Sequence, residues 1–117
     1  MFNQNNRLRK TKEIEKTFKN GKSFYNNLLG FKVFKNDLNE SRFCVIISAK
    51  ISKKAVERNK IKRRVRAVIN NDLGQIKKGF DVVIIVTKNI INLGFSDLKQ
   101  EIEDSLKKIG IYDDSFL

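Results

Sequence analysis

Lys53-Lys54-Ala55-Val56-Glu57-Arg58-Asn59-Lys60-Ile61-Lys62-Arg63-Arg64-Val65-Arg66 sets eight cations against a single acid. A run of like charge this dense repels itself and stays unfolded unless another force orders it. Small and branched apolar residues recur within it. Placed at about 100° per residue on a helix, Ile61, Val65, Val68 and Ile69 fall in one arc, with Leu73 at its edge. Toward the N-terminus the same stripe meets Arg58 and Lys54, so the inner face turns from apolar to cationic within two turns. The segment from Lys53 or Lys54 to Leu73 is therefore predicted to be a helix. Its C-terminal half packs on a sheet, and its first turns overhang a groove. Arg58, Lys62 and Arg66, spaced four apart, form a row on the groove side. Asn59, Lys60, Arg63 and Arg64 point toward solvent.

Outward from this helix, the flanking segments Arg42 to Ser48 and Phe80 to Thr87 are almost continuously apolar, as central strands covered on both faces should be. Near the start, Lys12 to Lys19 reads as a short helix carrying Ile14 and Phe18 on one face, stopped by Asn20-Gly21. Ser23 to Phe34 reads as one strand, with Phe31 and Val33 alternating against Gly30 and Lys32, and residues 36–39 as a turn. A final amphipathic helix runs from Ser96 to Lys108 with Leu98, Ile102, Leu106 and Ile109 on one side. Ser96 or Asn92 is its expected N-cap and Gly110 its stop. This order predicts an α+β fold, a small mixed sheet packed with about three helices. With 117 residues the chain forms a single domain, residues 1–117, with residues 1–10 and 111–117 expected as flexible ends.

The formal charge of +12 and a pI near 10.0 exceed what solubility needs and predict a polyanionic partner, nucleic acid by default. A membrane surface is disfavoured, because a lipid-binding basic helix carries large aromatic or leucine side chains and residues 53–69 offer only Ala, Val and Ile. No stretch approaches about 18 apolar residues and the first twelve lack an apolar signal core, so the protein is expected in the cytoplasm. Cys44, the lone cysteine, lies in an apolar run and reads as a small buried hydrophobe. Histidine is absent, and no nucleophile or general-base constellation is visible. Glu101 and Asp104, one turn apart, read as a solvated face rather than a metal pair, since hydrolytic metal sites gather several convergent ligands.

The residues Ala55-Val56-Glu57-Arg58-Asn59-Lys60-Ile61-Lys62-Arg63-Arg64-Val65-Arg66 resemble the Ala-Val-x-Arg-Asn-Arg-Ile-Lys-Arg-x-x-Arg signature of the protein subunit of bacterial ribonuclease P. The likeness extends through Arg7-Leu8, Phe18-Lys19-Asn20-Gly21-Lys22-Ser23, Ile47-Ser48-Ala49-Lys50 and Phe80-Asp81-Val82-Val83, covering about Arg7 to Lys108. Two positions depart from the pattern. Lys60 stands where the family usually has Arg, keeping the charge but losing the forked phosphate contact, and Ser52-Lys53-Lys54 replaces a frequent glycine.

The resemblance implies a ribosomal protein S5 domain 2-like fold with a left-handed βαβ crossover, and a protein that binds a catalytic RNA one to one. By the same resemblance it would also bind precursor tRNA, assisting endonucleolytic removal of the 5′ leader. Catalysis would lie in the RNA subunit with its Mg²⁺ ions, the chain binding no cofactor or metal and needing no protein partner. Lys53, Lys54, Arg58, Asn59, Lys60, Lys62, Arg63, Arg64 and Arg66 are the expected RNA-binding residues, for ribozyme and leader together. Phe18 matches the family's cleft aromatic. Phe31 and Phe34 are further candidates for stacking on single-stranded bases, with burial in the core as their alternative. A ribosomal or general RNA-binding protein without a processing role has the same charge and size. A DNA-binding regulator would carry base-reading polar residues on its helix, whereas this helix offers mostly phosphate-type cations.

Overall fold

The computed structural model describes residues 4–113. Helix α1 (Thr11–Asn20) is followed by strands β1 (Lys22–Tyr25), β2 (Leu29–Lys35) and β3 (Arg42–Ile47), helix α2 (Ala55–Asn71), strand β4 (Phe80–Val86) and helix α3 (Phe95–Ile109). The strands form one mixed sheet in the order β1-β2-β4-β3, antiparallel except for the parallel pair β3 and β4. Helix α2 is the crossover of that parallel pair. The α+β architecture is thus the predicted one.

The basic helix folds because its apolar arc is completely buried. Ile61, Val65, Val68 and Ile69 are each 0 % exposed and join Phe43, Val45, Ile47, Leu98, Ile102 and Leu106 in the core. Burying one such side chain is worth about 1.5–3 kcal/mol, whereas a like-charge pair one turn apart costs roughly 0.2–0.5 kcal/mol. The four anchors outweigh the repulsion among the cations. The helix begins at Ala55, later than its charge run. Its start is held by Ser52, whose Oγ donates to Glu57 Oε1 at 2.8 Å while its carbonyl accepts from Arg58 Nη1 at 2.8 Å. It ends at Asn71, so Leu73 lies in the short 3₁₀ turn that follows.

The segment predicted as one strand from Ser23 to Phe34 is a hairpin. Asn26 makes the turn: its Oδ1 accepts from the backbone N–H groups of Leu28 and Leu29, both at 2.8 Å, an Asx turn in place of a ladder. In α3 the residue before the helix is Gly94, and neither Ser96 nor Asn92 caps it. Gly110 ends it at φ 93°, the left-handed conformation glycine adopts without strain.

Within the two ends expected to be flexible some residues pack on the fold, while Gln4, Asn5, Arg7, Arg9 and Lys10 are exposed. Leu8 is 3 % exposed and its N–H donates to Phe43 O at 3.0 Å, and Asn6 Nδ2 donates to Ser41 O at 3.0 Å. Ile111 and Tyr112 are buried, and Ile111 O accepts from Lys77 N–H at 2.7 Å. Residues 1–3 and 114–117 lie outside the described residues. No helix among the described residues is long and apolar enough to cross a membrane.

Candidate nucleic-acid interface

Side chains alternate between the two faces of a sheet, and the register assigns them. Leu29, Phe31 and Val33, Phe43, Val45 and Ile47, and Val82, Ile84 and Val86 share the face under α2 and α3. The opposite face carries three cross-strand rows: Phe34-Asp81-Arg42, Ser23-Lys32-Val83-Cys44, and Tyr25-Gly30-Ile85-Ile46. Helix α1 closes over the first row. Arg42 reaches Glu13 through Nη1 to Oε1 at 3.2 Å and Nη2 to Oε2 at 3.1 Å, and Lys16 Nζ lies 5.3 Å from the centre of the Phe34 ring. The remaining two rows form a floor bounded by α1 and, beyond edge strand β3, by α2.

The α2 cations divide between its flanks. Arg58, Lys62 and Arg66 are half-buried, while Asn59, Lys60 and Arg63 are exposed, as are Lys53 and Lys54 in the turn before the helix. Lys62 and Arg66 lie within electrostatic range of the Cys44 thiol, which puts them beside the floor. Arg66 also borders a shallow depression shared with Val56, Asn59 and Arg63, so it belongs to both flanks. Val56, 78 % exposed, is an apolar spot among the outward cations that the apolar-arc argument did not single out. Arg64, expected to face solvent, is half-buried on the far flank, where Nη1 donates to the Ile91 carbonyl.

The aromatic candidates separate cleanly. Phe18 stands 42 % exposed on α1, which docks through the buried Thr17 instead. Lys32 Nζ sits 5.4 Å from the centre of the Phe18 ring, a cation–π distance. Phe34 is half-buried under α1. Phe31 is removed from the cleft: at 0 % exposure it belongs to the core on the other face, against Phe24 at 6.4 Å between ring centres. The sequence reading missed Tyr25, 52 % exposed at the end of the third row, with Lys32 Nζ 5.6 Å from its ring centre. Its signal was present in the turn-forming Asn26-Asn27, which reverses the chain and sets Tyr25 opposite Gly30.

The electrostatics favour an anionic ligand on this face. The acids near it are engaged: Asp81 and Glu13 both pair with Arg42, whose pKa is raised chiefly by its hydrogen bond to Asp81. Burial pushes the Cys44 thiol up, and the pull of Lys62 and Arg66 only partly offsets it. Cys44 is half-buried on the floor rather than sealed in the core. Among the described residues no group of three or more His, Cys, Asp or Glu side chains is placed to hold a metal ion. Glu101 Oε2 lies 3.4 Å from Asn26 Nδ2, and Asp104 accepts from Gln100 Nε2 at 2.8 Å.

Residues 2–110 match the ribonuclease P protein family. The chain is 39 % identical over 108 residues to the ribonuclease P protein component of a Synechocystis species, covering 92 % of this chain and 87 % of that protein. It is 36 % identical over 108 residues to the Clostridium botulinum component, covering 92 % and 96 %. A solved ribonuclease P protein from Thermotoga maritima superposes with a TM-score of 0.80 at 34 % identity, covering 87 % of this chain and 98 % of that one.

Proposed function

The chain belongs to the ribonuclease P protein family, and on that premise we propose that its open sheet face holds the 5′ leader of precursor tRNA while the outer flank of α2 docks on the catalytic RNA. Membership itself makes the ribonuclease P RNA subunit its partner and tRNA processing its setting. The observation that carries the finer reading is the floor between α1 and α2. It joins an exposed Phe18, the ring-flanked ammonium of Lys32, and Lys62 and Arg66 beside Cys44, with Arg58 continuing their row by helical spacing. A cationic groove with aromatic platforms grips single strands without demanding a sequence.

The opposite flank, with Asn59, Lys60 and Arg63 exposed, carries cations suited to phosphates of a folded RNA. Lys53 and Lys54 extend that surface. In this reading one protein joins one RNA subunit in the cytoplasm, and the RNA with its Mg²⁺ ions cuts the phosphodiester. The protein screens repulsion between two polyanions and positions the leader.

Reconstitution tests this directly. Adding the chain to its cognate RNA at low Mg²⁺ accelerates cleavage of precursor tRNA, while the chain alone remains inactive. Absence of stimulation would overturn the proposal and favour a general RNA-binding role.

A further inference from the structure

The floor does not end at Phe18. Beyond Lys32 the third row finishes on Tyr25, at the outer edge of the sheet. A Cβ on Gly30 would stand 2.2 Å from Tyr25 Cε2 and 2.5 Å from Cδ2, so the ring lies against the bare glycine backbone of the neighbouring strand. This support holds the ring in place while half of the residue stays exposed. Lys32 is fixed as well: its ammonium donates to Ser23 Oγ and lies 5.4 Å from the centre of Phe18 and 5.6 Å from that of Tyr25. An ammonium has three donors, and the serine takes one, leaving others for a phosphate.

We infer that Tyr25 is a stacking platform for a base of the leader and that Lys32 takes the adjoining phosphate, extending the leader track across the β1-β2 hairpin beyond Phe18. The inference rests on the reading of this face as the leader cleft. An exposed ring needs a flat face and little freedom to lose, because immobilising a mobile side chain subtracts from affinity. Tyr25 meets both conditions through Gly30. Covering Gly30 of the interior strand β2 also shields bare sheet backbone, and a purely protective role would be served equally by any apolar side chain of similar reach.

The test measures binding of precursor tRNAs with progressively longer leaders, and of mature tRNA, to the holoenzyme assembled with wild-type chain, Tyr25→Phe, Tyr25→Leu or Lys32→Gln. Wild type gains affinity as the leader lengthens. Tyr25→Leu, which still covers Gly30, is expected to lose about tenfold with the longest leaders, the scale of one base–aromatic stack, and nothing with the shortest leader or mature tRNA. Tyr25→Phe keeps wild-type affinity, and Lys32→Gln loses affinity over the same leader lengths with a shallower salt dependence. Equal affinity of Tyr25→Leu and wild type at every length, in a holoenzyme that does respond to leader length, would overturn the platform and leave the cleft standing. A wild-type holoenzyme indifferent to leader length would overturn both.

Discussion

Arg42 holds Asp81 through two parallel hydrogen bonds, Nε to Oδ1 at 2.8 Å and Nη2 to Oδ2 at 2.7 Å, across the parallel pair β3 and β4. The same guanidinium grips Glu13 of α1. Asp81 is nearly sealed, and Asn36 Nδ2 donates to it at 2.8 Å. This clamp seats α1 over one row of the sheet and leaves the other two rows as the floor.

Removing one partner of a buried pair leaves the other charge without compensation, at a cost of roughly 3–5 kcal/mol. Arg42→Met is therefore expected to lower stability by about 3 kcal/mol in urea denaturation. It also releases α1, so the holoenzyme loses leader-dependent affinity. Adding Asp81→Leu restores much of the stability, because an apolar pair can replace a buried ion pair, but it does not restore Glu13's anchor. Full recovery of leader affinity in the double variant would refute the clamp's role in shaping the cleft.

The two flanks of α2 predict separable defects. Lys62→Ala lowers affinity for precursor relative to mature tRNA and reduces the salt slope by about 0.7, the value for one single-strand phosphate contact. Arg63→Ala leaves that ratio intact and weakens assembly with the RNA subunit, with a slope change of about one. Titrations of each variant across a salt series would show whether the defects sort by flank. Arg58→Ala is a less direct probe, since Arg58 also bonds the Ser52 carbonyl at the start of the helix.

Cys44 is a built-in reporter for the floor. Its thiol pKa is raised by burial, so near neutral pH it remains protonated and reacts with iodoacetamide more slowly than a free thiol, the thiolate being the nucleophile. Reaction speeds up as pH rises through the raised value. Bound precursor is expected to protect Cys44 and mature tRNA to protect it less. Alkylated protein should assemble with RNA and fail to gain affinity from the leader; an unchanged gain would place the leader elsewhere.

On the opposite side of the molecule, Lys99 links α3 to the end of α2. Its ammonium bonds the buried Asp72 at 3.0 Å and Glu103 one turn along the helix. The hydrogen bond to Glu103, then that to Asp72, raises its pKa. A raised folded pKa contributes stability fully present below the unfolded lysine value of about 10.4 and lost as pH climbs through the folded value. Lys99→Met is expected to cost roughly 2 kcal/mol near neutral pH, the scale of hydrogen bonds to a charged group. The difference in urea midpoint from wild type should hold up to about pH 9 and shrink above the unfolded lysine pKa. A difference independent of pH would assign the loss to packing.

The legible parts were those set by neighbours along the chain. Helix α2, its buried arc and its cationic N-terminal flank follow from residues three and four apart, and Ile61, Val65, Val68 and Ile69 are buried as the periodicity requires. The two apolar strands beside it were equally plain. The hairpin inside residues 23–34 was not: Asn26 interrupts an otherwise strand-like run, and its turn depends on a side-chain oxygen binding two backbone N–H groups. Phe31, Phe34 and Tyr25 consequently could not be assigned to faces. In a sheet, shifting pairing by one residue sends every side chain to the other side.

By itself the sequence determined a charged helix anchored by an apolar arc, flanked by strands, in a domain built to meet RNA. Local spacing is sufficient for the helix, which is written in contacts between near neighbours; RNA as the partner followed from the charge together with the signature's resemblance to the ribonuclease P protein subunit. Only the tertiary structure decided which aromatics reach the groove. Phe31 is core and Tyr25 is surface because β1 folds back on β2 in one register. Phe18 stays uncovered because Arg42, Asp81 and Glu13 seat α1 through its other side. Those outcomes rest on pairings between residues far apart in the chain, whose geometry no local pattern specifies.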